Sequence, residues 1–513
     1  MKLKSSVALS LLILFFLSKP CWLMEKADGE QDSSSIPKLC IHPPSPWQIA
    51  NFYADYKADC QEAGIQSLTF PQYCRLSHKG KSRLEHVRLN PDLVAVPQHK
   101  IQGDLNVIVL LVDFEDSKGT QPPKYYERML FSENILSTGS MHDFYDEVSG
   151  GSLRVKGSVH GWLRLPQTYR YYTNKESGMN WNSYPRNAVR MAEDAVQEAI
   201  NRGVRFDSSL DKLRNGSITA LFLIHAGQGA EVLSKAQGRN HIWSHKWGLR
   251  RPIAVSDSLS ASTYLTVPQD CLVGVCAHEL GHLAMGWDDF YDPDYDQNGF
   301  WHGAGNWDLM ASGSYGEGGV HPVHPMGLHK IQHDWVKSDT IDVAKLQNPT
   351  SYTLSAFSLK DSYQVLKLTS PAYAATQFLI LECRKRVGFD RSLPGEGLLV
   401  WRVDTSRSQN APDNPALLLI QADGQHQLER AFGDNSGDEG DPFPGTARVR
   451  ELFDGGEINT SFPGRAPSGI LLEDIKMNQD GSVTFNLRYR QPSSSSTQFP
   501  ATKKRKVEHR SED

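Results

Sequence analysis

Val275-Cys276-Ala277-His278-Glu279-Leu280-Gly281-His282, followed closely by Asp288, Asp289 and Asp292, decides the reading of this 513-residue chain. Two histidines four positions apart on a helix differ by about 40° around its axis, so both imidazoles can hold one ion from the same face. Glu279 is rotated by about a third of a turn, which suits a general base aimed at a metal-activated water, not a third ligand. The set reads as a zinc site. Gly286 can turn the chain through positive φ and return an acidic residue to the metal, and Asp288 and Asp289 compete for that place. Farther on, Asn306 to Tyr315 can put Met310 in a tight turn beneath the imidazoles, its thioether a packing element and not a ligand. Five residues of this pattern also arise by chance on amphipathic helices, so the surrounding chain has to carry the reading.

Its length allows two or three domains with buried cores, and a net charge of -5 gives no sign of a nucleic-acid partner. Lys2 and Lys4 precede an apolar run from Val7 to Leu17, the pattern of a secretory leader too short to span a bilayer comfortably. Residues 1–22 are therefore expected to be removed, leaving a secreted, extracellular product with no stable membrane insertion. Beyond Cys21 there remain Cys40, Cys60, Cys74, Cys271, Cys276 and Cys383, an even number that suits disulfides. Asn215-Gly216-Ser217 and Asn459-Thr460-Ser461 are glycosylation sequons, in keeping with export.

Residues 23–104 hold three cysteines and little periodicity, as a propeptide or a disulfide-pinned extension would. A free cysteine there could occupy the fourth position on zinc and keep the protein latent, but a local arrangement of Cys40, Cys60 and Cys74 is the expectation. Leu105 to Val112 reads as a buried strand, Ser140 caps a short helix, and Leu153 to Val159 is strand-like. Pro185 opens a helix whose apolar residues, from Ala188 to Ile200, share one face until Gly203. Ile218 to Ile224 is a further core strand. Strands interleaved with helices call for a layered domain in which the helix of about Leu272 to Met285 packs on the sheet. His329 to Trp335 reads as a surface helix, and His321, His324, His329 and His333 repeat no zinc spacing. From Ser351 to Arg488 short alternating segments between turn residues predict an all-β sandwich. Asp292, Asp294, Asp296 and Asn298 alternate on a loop that suits calcium or, equally, a solvated acidic turn. Lys503 to Val507 is a basic run in a serine-rich tail; it resembles a nuclear import signal, but a secretory leader favours a disordered charged tail.

These residues resemble the immune-inhibitor-A-like metallopeptidases, secreted zincins with this helix, a glycine turn, an aspartate third ligand and a methionine turn. The likeness runs through Asp143 to Ser149, His225-Ala226-Gly227, Ile242 to His245, Trp307 to Met310, Gly388-Phe389-Asp390, Leu393 to Asp404, Ala422-Asp423-Gly424 and Gly440 to Gly445. It covers roughly residues 105–490. One departure stands out: the family usually has two residues between the second histidine and the glycine, whereas Leu283, Ala284 and Met285 make three. Matching the glycine to Gly286 makes Asp289 the ligand, and counting strictly from His282 makes it Asp288; the resemblance favours Asp289. Calcium is also a general habit of secreted zincins.

The expected fold class is α+β: a zincin-like catalytic domain over 105–345, with a mixed sheet and an active-site helix, a β-rich accessory domain over 346–490, and a tail over 491–513. The expected function is a zinc-dependent endopeptidase acting on protein or peptide substrates, with His278, His282 and Asp289 on zinc, Glu279 as base, and calcium as a second cofactor. A secreted binding protein that keeps the peptidase fold without turnover is the alternative, against which the presence of Glu279 and both histidines counts.

Overall fold

A computed structural model describes residues 37–49, 61, 99–292, 301–356, 364–407, 415–430 and 435–491. The leader, Cys60, Cys74, Asp294, Asp296, Asn298 and the basic tail lie outside the described residues. Fourteen strands are named here in chain order: β1 (Cys40–Ile41), β2 (Gly103–Asp113), β3 (Leu153–Arg164), β4 (Leu221–His225), β5 (His245–Ala254), β6 (Ser260–Pro268), β7 (Lys337–Asp342), β8 (Thr350–Leu354), β9 (Gln364–Thr369), β10 (Gln377–Arg384), β11 (Gly397–Asp404), β12 (Leu417–Leu419), β13 (Ile470–Met477) and β14 (Val483–Tyr489).

The first six form one mixed sheet in the order β1-β5-β6-β4-β2-β3. Strands β3, β2, β4 and β6 run parallel, whereas β5 is antiparallel to β6 and β1 antiparallel to β5. Parallel strands with both faces covered need continuous apolar runs, and Leu105 to Val112 supplies one. Its alternate residues go to opposite sides: Leu105, Val107, Val109 and Leu111 pack with the helix Val273–Leu280, whereas Ile108, Leu110 and Val112 pack with the helix Ala188–Asn201. Each helix buries its apolar stripe on one face of the sheet. One boundary differs from expectation and another agrees with it. Asn187, not Pro185, caps the second helix, its side chain accepting from the Arg190 N–H at 3.1 Å. Ser140 and Asp143 form a full capping box on the helix Met141–Val148.

The C-terminal half is a β-sandwich. A five-stranded sheet, β12-β11-β10-β9-β7, faces the three-stranded sheet β13-β14-β8. Between them lie Leu366, Leu368, Leu379, Leu381, Leu398 and Val400 from the larger sheet and Leu472, Phe485 and Leu487 from the smaller. The other face of the larger sheet, with Phe378, Ile380, Leu399, Trp401 and Val403, joins the same core as Trp307, Leu309 and Met310. The alternation predicted from sequence thus serves two cores at once. Among the described residues no helix is long and apolar enough to cross a membrane.

Candidate metal centre

The helix Val273–Leu280 begins where Leu272 leaves the extended region, and at Gly281 its winding loosens into a π-helical turn, Gly281–Met285. The expected single helix to Met285 therefore changes pitch. Gly286 donates its N–H to the Gly281 carbonyl and sits at φ 72°, the left-handed conformation that glycine adopts without a Cβ penalty. The three residues between His282 and Gly286 are accommodated by this widened turn. Trp287 N–H also reaches Gly281 O, at 3.1 Å. A Cβ on Gly281 would stand 2.7 Å from the Trp287 ring and 3.0 Å from the Met310 sulfur, so the helix can approach the methionine turn only because that position has no side chain.

His278 and His282 are oriented by backbone. The Nδ1 of His278 lies 2.8 Å from the Leu309 carbonyl and the Nδ1 of His282 lies 2.7 Å from the Trp287 carbonyl. Donating Nδ1–H to those oxygens leaves each Nε2 as an acceptor. These two Nε2 atoms face each other at 3.0 Å, with Asp289 Oδ1 at 3.2 Å from His278 and 3.1 Å from His282. Three electron-pair donors thus converge within 4.8 Å of one another. Such a set is stable around a cation, and two imidazoles with one carboxylate suit zinc. The local field agrees. Burial opposes ionisation of Asp289, but the neighbouring His282 and His278 outweigh it and hold the carboxyl well below its usual range. Burial likewise opposes a charged His282, and the Asp289 carboxylate reverses the balance, so positive charge at the centre is favoured.

Asp288, the competitor for that position, instead forms an ion pair with Lys38. Glu279 is fully buried with neither carboxylate oxygen hydrogen-bonded among the described residues, and burial raises its pKa well above the usual carboxylate value. Met310 lies in the turn below, where its carbonyl accepts from Phe290 N–H at 2.8 Å and ties the methionine turn to the Asp289 loop. Asp308 bridges Met310 N–H and Met326 N–H at 3.3 and 3.1 Å. Asp292 is buried, its N–H on the Trp301 carbonyl at 3.3 Å.

Two expectations are corrected. The histidine-rich segment is not a surface helix: His321, His324, His329 and His333 are all buried. The His329 ring stacks between Trp287, at 4.7 Å and 17°, and Phe290, at 4.9 Å and 5°, while the Trp287 indole N–H donates to His333 Nε2 at 3.0 Å. They brace the loop that carries Asp289. Nor is Cys40 held in a local disulfide. The described cysteines, Cys40, Cys271, Cys276 and Cys383, are free, buried thiols, and β1 pairs Cys40 with Lys246 of β5. Sequence reading also missed His42 and Tyr315, whose rings pack 4.9 Å apart beside His278; the signal available was Tyr315 following the methionine turn.

Residues 99–341 match the family model described as Immune inhibitor A peptidase M6, catalytic domain. The chain is 30% identical over 263 residues to Immune inhibitor A of Bacillus thuringiensis subsp. alesti, covering 42% of this chain and 38% of that protein. It is 28% identical over 319 residues to the Pre-pro-metalloprotease PrtV of Vibrio cholerae serotype O1 (strain M66-2), covering 52% of this chain and 34% of that protein. The chain thus spans little more than a third of the length of these curated relatives. Over residues 99–341, then, the chain is similar to the immune-inhibitor-A-like metallopeptidases.

Proposed function

We propose that the protein is a secreted zinc endopeptidase in which His278, His282 and Asp289 hold the metal and Glu279 is the general base. The observation that carries this reading is the convergence of two imidazole Nε2 atoms and one carboxylate oxygen beside a buried carboxyl with no hydrogen-bond partner among the described residues. Bound zinc supplies positive charge that polarises a peptide carbonyl and acidifies water. Glu279 takes the proton of the attacking water on a carboxylate oxygen and returns it to the departing amine. The Leu309 and Trp287 carbonyls fix the tautomers, and Met310 with Trp287 keeps the floor apolar. Asp292, Asp294, Asp296 and Asn298 suit calcium or, equally, a solvated acidic turn. Secretion rests on the leader-like N-terminus and on likeness to a relative whose name marks it as a pre-pro-enzyme.

Glu279→Gln is the test. It should retain stoichiometric zinc and lose peptide hydrolysis by at least about a hundredfold, the contribution of a positioned general base. Undiminished hydrolysis by that variant would remove Glu279 from the role.

A further inference from the structure

Strand β11 alternates between two cores. Leu399, Trp401 and Val403 join the core that holds the methionine turn, whereas Leu398 and Val400 point between the sheets of the sandwich, and Arg402 is in step with them. Its neighbours across the ladder are Leu379 on β10 and Leu418 on β12. A guanidinium on an inward face needs partners, because burying a charge without them is costly. Among the described residues Arg402 has none: its Nε is sealed from solvent without a hydrogen bond, and no carboxylate lies within ion-pairing distance. Burial pulls the group below its ordinary pKa, against a smaller opposite pull from Tyr373 and Glu429. Glu429 is itself taken by the Gln421 amide at 2.6 Å.

The Arg402 side chain lines a pocket of about 260 Å³, walled on one side by the loop 459–467. A turn with the Arg465 N–H on the Phe462 carbonyl at 3.1 Å brings a second guanidinium to this pocket, exposed and also without an ion pair among the described residues. Phe462 stands edge-on against Tyr373, ring centroids 4.9 Å apart, and gives a fixed apolar wall. Ser461 Oγ accepts the Ser468 N–H at 3.1 Å, which leaves its O–H to donate. Asp454 uses one oxygen on the Gly469 N–H at 2.8 Å, and among the described residues the other is open as an acceptor. The Asn459 amide is engaged at both ends by its own loop, on the Gly456 carbonyl and the Ser461 N–H. Two cations against one anion leave the pocket positive.

We propose that this pocket binds the carboxylate of a small organic acid, with Arg402 and Arg465 holding the anion and Asp454 accepting from a hydroxyl or N–H of the same molecule. A planar guanidinium matches a carboxylate through two parallel bonds. The Asp454 carboxylate in the same wall disfavours a multiply charged phosphate or sulfate. The pocket is smaller than those that take drug-sized ligands, so it fits a single ring or a chain end, as in a sugar acid or a terminal amino acid. The site lies on the sandwich and stands whether or not the metal centre cleaves peptides.

Ligand-observed magnetic resonance on the full-length protein tests this with glucuronate and N-acetylglycine as probes, and with glucose and N-acetylglycinamide as their uncharged counterparts. At least one acid should bind with a Kd on the order of 1 mM, the affinity of so small a ligand at ordinary efficiency, and its counterpart should not. Arg402→Met should weaken binding at least about tenfold, as loss of a charge-assisted pair implies. Arg465→Gln, an exposed change, should weaken it in the same direction and decides the matter if Arg402→Met does not fold. Binding of glucuronate alone identifies a sugar acid and of N-acetylglycine alone a chain end; either sustains the site. Failure of both acids to bind the parent, which needs no variant to fold, overturns it. So does equal binding of the uncharged counterparts, or undiminished affinity in folded Arg402→Met.

Discussion

Asp288 and Asp289 are neighbours with opposite surroundings. Asp289 faces two imidazoles at 3.1–3.2 Å, whereas Asp288 is paired with Lys38. Asp289→Ala should therefore cut bound zinc well below one equivalent, and Asp288→Ala should leave it near one; metal analysis after dialysis decides, and loss only in Asp288→Ala would reverse the assignment. At this scale His278, Glu279 and His282 were legible because spacing on a helix is a local property. Asp289 became legible only through its distance from Gly286. His329 and His333 were not, because a polar, histidine-rich stretch reads as surface until the fold stacks one ring between Trp287 and Phe290. Burial keeps both imidazoles neutral, with His333 lowered to about 4.

The π-turn Gly281–Met285 is the element in which the chain departs from its family's spacing. A single inserted residue that widens one turn leaves the geometry from Gly286 onward intact. Deleting Leu283 should accordingly restore α-helical winding, retain zinc and keep the melting temperature within a few degrees; failure to bind zinc would mean the wide turn is itself required. Another element, the loop from Asn435 to Gly445, is bound to the segment before the methionine turn through Asp441, which accepts the Trp307 indole N–H at 2.9 Å. Burial raises the Asp441 pKa to about 7. A raised carboxyl pKa contributes stability that is fully present below about pH 4 and is lost as pH rises through 7. The stability difference between the parent and Asp441→Asn should shift against the parent between pH 5 and pH 8 in paired thermal melts, and a constant difference would refute this. Strands were legible here from alternation, but their partners were not, since register depends on residues far apart in sequence.

At the scale of the whole molecule, the methionine turn is a shared surface. Trp307, Leu309 and Met310 pack in one cluster with Ile380, Leu399 and Trp401 of the sandwich, and Arg384 on β10 reaches the Trp307 and His324 carbonyls at 3.2 Å while pairing with Asp390. A fragment of residues 99–345 would expose that apolar face. It should be aggregation-prone and lack near-ultraviolet circular dichroism, whereas a monomeric, cooperatively melting fragment would show that the first half stands alone. The sequence divides into a mixed α/β part and a β-rich part, as the composition of strands and turns suggested. The common core was hidden because both halves use ordinary core residues, and nothing in one strand's alternation says what its second face meets.

Removing β1 would leave β5 as the outermost strand of a six-stranded sheet reduced to five, with its outward amide and carbonyl groups released at His245 and Lys246. Unpaired edges invite other strands, including those of neighbouring molecules. A chain without β1 would thus carry a self-association liability that the chain with it does not have. The short edge strand can therefore be read as a solubility device that keeps β5 from pairing with a neighbouring molecule.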